Sequence, residues 1–126
     1  MAHFSRLFKI VIDVPAGDHA RELSFWEDAL GQQLPQFDYP EYHGAALHGV
    51  DFCLLTQRLD EGTARVHLDI HTDDLDAEVA RLERLGAARV QRVHSWQVMR
   101  DPAGLLFCVL ASPSGSLNEG NAHRWP

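Results

Sequence analysis

Between residues 8 and 14, Phe8, Ile10, Ile12 and Val14 alternate with Lys9, Val11 and Asp13, the period-two pattern of a strand that sets one face against a core. Pro15, Ala16 and Gly17 break that pattern. Asp18 is then placed to cap a helix whose Ala20, Leu23, Trp26 and Leu30 recur at three- and four-residue spacing up to Gly31. Three short extended runs follow at 34–39, 44–48 and 50–57, with turn signals at Pro40 and Gly49. After the polar joint at 60–63, Val66, Leu68 and Ile70 alternate with His67, Asp69 and His71 in a second strand. Thr72, Asp73 and Asp74 offer capping oxygens and negative charge to a helix striped by Leu75, Val79, Leu82 and Leu85 and stopped by Gly86. Strands at 88–93, 96–100 and 105–111 complete the pattern, the last two joined by the turn Asp101-Pro102-Ala103-Gly104. The order strand, helix, three strands therefore occurs twice, which predicts an α+β fold.

The two halves also share residues. Gly49-Val50-Asp51-Phe52-Cys53-Leu54-Leu55 returns 55 positions later as Gly104-Leu105-Leu106-Phe107-Cys108-Val109-Leu110, and the same offset carries Gly31 onto Gly86. Two matches at one offset point to a duplicated unit, with neither copy large enough to close a core alone. The expected organisation is one domain over 1–112, made of module one (8–58) and module two (64–111) with a cleft between them. Residues 113–126 have linker composition and one large apolar residue, Trp125, and are expected to form a flexible tail.

Size and charge narrow the function. The 126 residues are 45% hydrophobic, ordinary for one globular domain. With 11 Lys and Arg against 18 Asp and Glu, the net charge of -7 repels phosphate backbones and anionic membranes, so neither is an expected partner. No apolar run approaches the roughly 20 residues that span a bilayer, and the start of the chain lacks the apolar run of a signal peptide; a cytoplasmic protein is expected. Cys53 and Cys108 sit inside apolar runs and are expected to be buried thiols rather than a disulfide. There is no Gly-rich phosphate loop, no Gly-x-Ser-x-Gly elbow and no Cys-x-x-Cys pair.

The repeat, together with Phe25-Trp26-Glu27-Asp28-Ala29-Leu30-Gly31, Val66-His67-Leu68-Asp69-Ile70 and Asp101-Pro102-Ala103-Gly104, resembles the vicinal oxygen chelate superfamily of glyoxalases, bleomycin-resistance proteins and extradiol dioxygenases. The resemblance runs from about residue 8 to residue 111 and is nearest to small glyoxalase-like domains. It implies two tandem βαβββ modules that form one open barrel, with metal ligands entering the shared cleft from the first and last strand of each module. Those four corners fall on Lys9, Asp51, His67 and Leu106. Metal-using members typically place His or Glu there. Here His67 matches, Asp51 is a shorter carboxylate, Lys9 is a cation and Leu106 has no donor atom. About three protein ligands are usual for a catalytic divalent site, so no cofactor is expected; the alternative is a divalent metal completed by Asp69, His71 or His48.

His67 is the foremost candidate, because the alternation that buries Val66, Leu68 and Ile70 turns it towards the cleft, and its imidazole exchanges protons near neutral pH. Asp13 shares a face with Lys9, and Asp69 lies on the equivalent face of the fifth strand. Lys9 is expected to pair with a carboxylate; left facing an open cavity, its ammonium would instead attract a carboxylate or enolate. Trp96 is a candidate for an aromatic lining, whereas Trp26 belongs to the helix stripe and is expected in the core. His3, His19 and His123 fall in ends or loops. The expected role is binding of a small organic molecule by Lys9, Asp13, Asp51, Asp69, Trp96 and Leu106 around His67, as in bleomycin-resistance proteins. A lyase, isomerase or dioxygenase is the alternative, either metal-dependent or metal-free through His67. A symmetric homodimer is the expected assembly.

Overall fold

The computed structural model describes residues 2–126, so Met1, the first residue of the expected domain, lies outside the description. The elements in order are β1 (His3–Pro15), α1 (Ala16–Leu30), β2 (Gln36–Phe37), β3 (Tyr39–Ala46), β4 (Cys53–Leu59), β5 (Arg65–Thr72), α2 (Leu75–Arg84), β6 (Ala88–Val93), β7 (Trp96–Arg100), β8 (Leu106–Ala111) and β9 (His123–Trp125). The mixed α+β class follows. Contacts divide the chain into a first unit, 9–67, and a second unit, 2–8 with 68–126.

Within the first unit the strand path is β2-β3-β4-β1, with β1 parallel to β4 (Lys9 opposite Cys53, Asp13 opposite Gln57) and β3 antiparallel to β4. The second unit follows the path β5-β8-β7-β6, again with a parallel first and last strand (Asp69 opposite Cys108) and antiparallel pairs elsewhere. A parallel pair needs a long crossover, which the helix and two strands between its members provide. The repeated glycines occupy left-handed backbone in both units, with φ of 64° and 111° at Gly31 and Gly86 and 81° and 94° at Gly49 and Gly104. Glycine adopts that region without the penalty of a Cβ.

In the second unit, α2 begins at Asp74, whose carboxylate accepts from the Ala77 amide at 3.1 Å, satisfying one of the orphan donors of the first turn. Its Val79 and Leu82 pack with Met99, Phe107 and Val109 into a buried cluster joined by Ile70 and Leu75. In the first unit α1 differs from expectation. Pro15, with no side-chain acceptor, stands at its N-cap, and Asp18 is in the first turn, paired with Arg21. The stripe of Leu23, Trp26 and Leu30 is half-buried or exposed, and Trp26 donates to Glu22 rather than filling a core. His19, expected in a loop, is the residue that α1 buries.

The C-terminal segment carries more structure than its linker composition suggests. β9 pairs antiparallel with the start of β1, His3 opposite Trp125. The Trp125 indole donates to Ser5 Oγ at 2.9 Å, and the Arg81 guanidinium lies 3.7 Å from its ring centroid. Arg81 also grips Glu78 with two hydrogen bonds, and His3 Nε2 meets the same carboxylate at 2.8 Å. Burial works to raise the Glu78 carboxyl, but hydrogen bonds from Arg81, His3 and Ser5 outweigh it and its pKa is lowered. Composition hid this because one tryptophan, one arginine and a short ladder supply the contacts.

Candidate functional site

On β1 the alternation predicts that Phe8, Ile10 and Ile12 face the more enclosed side. The opposite holds. Lys9, Val11 and Asp13 are buried, Asp13 completely at 0% exposure, while Phe8, Ile10 and Ile12 are half-buried. β5 repeats the reversal, with His67 and Asp69 buried and Val66 48% exposed. Hydropathy alternation identifies two faces but does not say which face is the better covered.

Asp13 organises the buried polar face of the first unit. Its Oδ2 lies 2.7 Å from His67 Nδ1 and accepts from Arg65 Nε at 3.2 Å. An ionised carboxylate only accepts, so the proton of a neutral His67 resides on Nδ1 and Nε2 presents its lone pair. The ring is thereby fixed in both tautomer and orientation. Asp13 Oδ1 is buried without a hydrogen-bond partner among the described residues, an acceptor open to a donor from a ligand or water.

The ion pair expected of Lys9 is not present among the described residues. Asp13 Oδ2 is already occupied by Arg65 and His67, and Asp13 is four residues along β1, about 13 Å away at strand rise. Lys9 instead sets its ammonium 5.1 Å from the ring centroid of Phe37 on β2. Gln57, opposite Asp13, donates to the Tyr42 hydroxyl at 3.2 Å on the same face.

The corner positions need a second correction. Strand register makes Lys9 the counterpart of Asp69, since each stands opposite the cysteine of its own last strand, Cys53 or Cys108. Asp51 lies before β4, exposed in the turn, and is not a last-strand position. Leu106 opens β8 opposite Arg100, and Trp96 opens β7 with its ring 4.9 Å from His94. Val98 stands opposite Cys108, so the even-numbered residues of β7, Trp96 included, share a face with Cys108 and Asp69.

That register uncovers a residue the sequence reading passed over. Cys108 is a buried free thiol, as expected, and donor atoms of His67, Asp69 and Cys108 all lie within 4.8 Å of one another. His67 and Asp69 are two apart on one continuous strand and Asp69 faces Cys108 across the ladder, so local strand geometry groups them. The signal was present in the sequence, because the repeated cysteines mark equivalent last-strand positions. The nitrogen, oxygen and sulfur donors fit a borderline cation such as zinc in type. Ligands on tetrahedral zinc stand roughly 3.5 Å apart, so the three would have to draw together to hold one.

On the helix side of the first unit, His19 Nε2 lies 2.9 Å from Thr56 Oγ1, and the His19 and His43 rings are 5.1 Å apart. Burial, then the nearby His43 and Arg58, lower the pKa of His19.

Residues 9–110 match the family described as Glyoxalase-like domain. The chain belongs to that family. This glyoxalase-like protein therefore falls within the vicinal oxygen chelate superfamily, as its motifs imply. Among solved structures it is similar to a protein titled NAD-dependent benzaldehyde dehydrogenase from Legionella pneumophila, with a TM-score of 0.62 at 11% identity over 82% of this chain and 99% of that one. It is also similar to methylmalonyl-CoA epimerase, with a TM-score of 0.56 at 16% identity over 86% and 95%. A third similarity is to 2,2',3-trihydroxybiphenyl 1,2-dioxygenase from Sphingomonas wittichii strain RW1, with a TM-score of 0.58 at 15% identity over 87% of this chain and 42% of that one. At these identities the likeness establishes the fold alone. A search of curated proteins finds no sequence match. No helix among the described residues is long and apolar enough to cross a membrane.

Proposed function

We propose that this glyoxalase-like protein binds a small organic ligand against the polar face of β1 and β5, and that His67 transfers a proton to or from it. The observation that carries the reading is the buried contact between Asp13 Oδ2 and His67 Nδ1. A carboxylate that accepts from Nδ1 favours the tautomer in which Nε2 carries the basic lone pair, and in the protonated state it steadies the imidazolium. A ligand carbonyl with an acidic neighbouring C–H suits such a base: His67 Nε2 takes the proton, the electron pair moves to the carbonyl oxygen, and reversal returns the proton. A bleomycin-resistance-like binder would use the same face without this transfer.

The test is exchange of solvent deuterium into small ketones and 2-oxo acids. His67→Ala is expected to slow exchange about 10²–10⁴-fold, the usual contribution of a positioned acid or base. Asp13→Asn should retain binding and lose part of the rate. If ligands bind but wild type exchanges none of them, the binding role stands without the chemistry.

A second reading is favoured by the grouping of His67, Asp69 and Cys108. These residues would hold a divalent ion, which when bound would polarise a carbonyl oxygen as a Lewis acid. Near-stoichiometric metal in purified protein, lost together in His67→Ala and Cys108→Ser, would establish this reading in place of the metal-free one.

A further inference from the structure

Lys9 is 5% exposed, and among the described residues it makes no ion pair and no side-chain hydrogen bond. Its single described partner is the ring of Phe37, 5.1 Å from the ammonium. A buried cation without a counter-charge is unfavourable, and a ring face offsets only part of that. Methionine would fill the same space with no charge to desolvate. A lysine held here is therefore poorly explained by stability and well explained by an anion that arrives from outside.

The neighbourhood agrees. Asp13, the nearest carboxylate on β1, stands four residues along the strand, about 13 Å away at strand rise, where its Oδ2 meets Arg65 and His67 instead. The ammonium has three donors, and a cation–π contact uses no acceptor, leaving those donors for a ligand. Phe37 lies on the two-residue strand β2 and is 36% exposed, so an uncovered part of its ring remains for a flat hydrocarbon group to pack against. With a net charge of -7, the chain as a whole repels anions, and affinity for one has to come from a local group such as this.

Resting on the ligand-binding reading above, we propose that Lys9 and Phe37 form the anchoring subsite for an organic carboxylic acid with an aromatic or otherwise planar body. The carboxylate meets the Lys9 ammonium and the planar body lies against Phe37. Lys9 thus supplies, at one corner of this glyoxalase-like site, the positive charge that binds the ligand.

Benzoate and its neutral isostere benzamide are the probes, titrated into the whole chain by calorimetry. Benzoate is expected to bind about tenfold or more tightly than benzamide, the scale of a charge-assisted hydrogen bond. Lys9→Met should abolish that preference, Lys9→Arg should retain most of it, and Phe37→Leu should weaken both ligands. Thermal melting supplies a second readout: Lys9→Met is expected to melt at the same temperature as wild type or higher, whereas a structural lysine would lower it. Equal benzoate affinity in wild type and Lys9→Met overturns the proposal. Benzamide binding that is lost in His67→Ala, with no preference for benzoate, overturns the anion subsite and leaves the ligand site standing. Binding of neither probe at any concentration tested counts against both.

Discussion

Helix α2 buries Val79 and Leu82 against Met99, Phe107 and Val109, with an ion-paired Glu78 beside them, whereas the residue that α1 buries is His19, which meets Thr56. The two units have the same strand path and the same parallel pairing of first and last strands, so topology does not account for the contrast. The second unit sets a hydrocarbon cluster between helix and sheet and confines the polar burial of α2 to Glu78, which is paired with His3 and Arg81. The first sets polar groups on both faces of its sheet: His19, Thr56 and His43 towards the helix, and Lys9, Asp13 and His67 on the other side. Buried polar groups stabilise less than apolar ones of equal volume, and natural proteins concentrate such departures from local consistency at functional sites. The first unit thus departs further from apolar packing beneath its helix, while the second keeps a hydrocarbon cluster there and carries its buried polar groups beside it.

The largest expected effect tests the hydrocarbon cluster. Met99→Ala removes a side chain with 0% exposure from the α2 cluster and should lower stability by about 2–5 kcal/mol, the range for large-to-small core changes. Leu23→Ala on α1, where the residue is half-buried, should lower it by about half as much or less. Denaturant unfolding measures both, and comparable losses would remove the contrast between the helices. Next come the helix starts. Asp74→Ala deletes the cap of α2 and should lose about 1 kcal/mol, while Asp18→Ala on α1 should change stability by less than about 0.5 kcal/mol, because its pair with Arg21 is exposed.

The smallest effect depends on pH and separates the units by where it falls. His19 has its folded pKa held below 6.5, so the unfolded chain takes up that proton first; the contribution is present above about pH 6.5 and is lost as pH falls below it. Glu78 is lowered from 4.5, so its contribution is present above about pH 4.5 and is lost below that. Melting temperature should decline in two limbs, with His19→Gln flattening the upper one and Glu78→Gln the lower one. An unchanged upper limb in His19→Gln would show that the polar packing of α1 does not respond to protonation.

Much of this organisation was legible in the sequence. Gly31 with Gly86, and Gly49 with Gly104, marked equivalent turns because each must adopt positive φ, and the stripe of Val79 and Leu82 named the helix face of the second unit. The fifth strand and the Asp74 cap could be read from local pattern. Register could not. It depends on hydrogen bonding between strands distant in sequence, and it moved the counterpart of Lys9 from His67 to Asp69 and put Cys108 in place of Leu106 at the last-strand corner. The Asp13 to His67 contact, the isolation of Lys9 and the burial of His19 are likewise tertiary facts, because alternation gives each side chain a face without giving it a neighbour.

Because His3 stands opposite Trp125, β1 and β9 close a ladder between segments more than a hundred residues apart, roughly 5 Å from strand to strand at that pair. Loop-closure entropy makes so distant a pairing slow to form, so this ladder belongs to the late steps of folding.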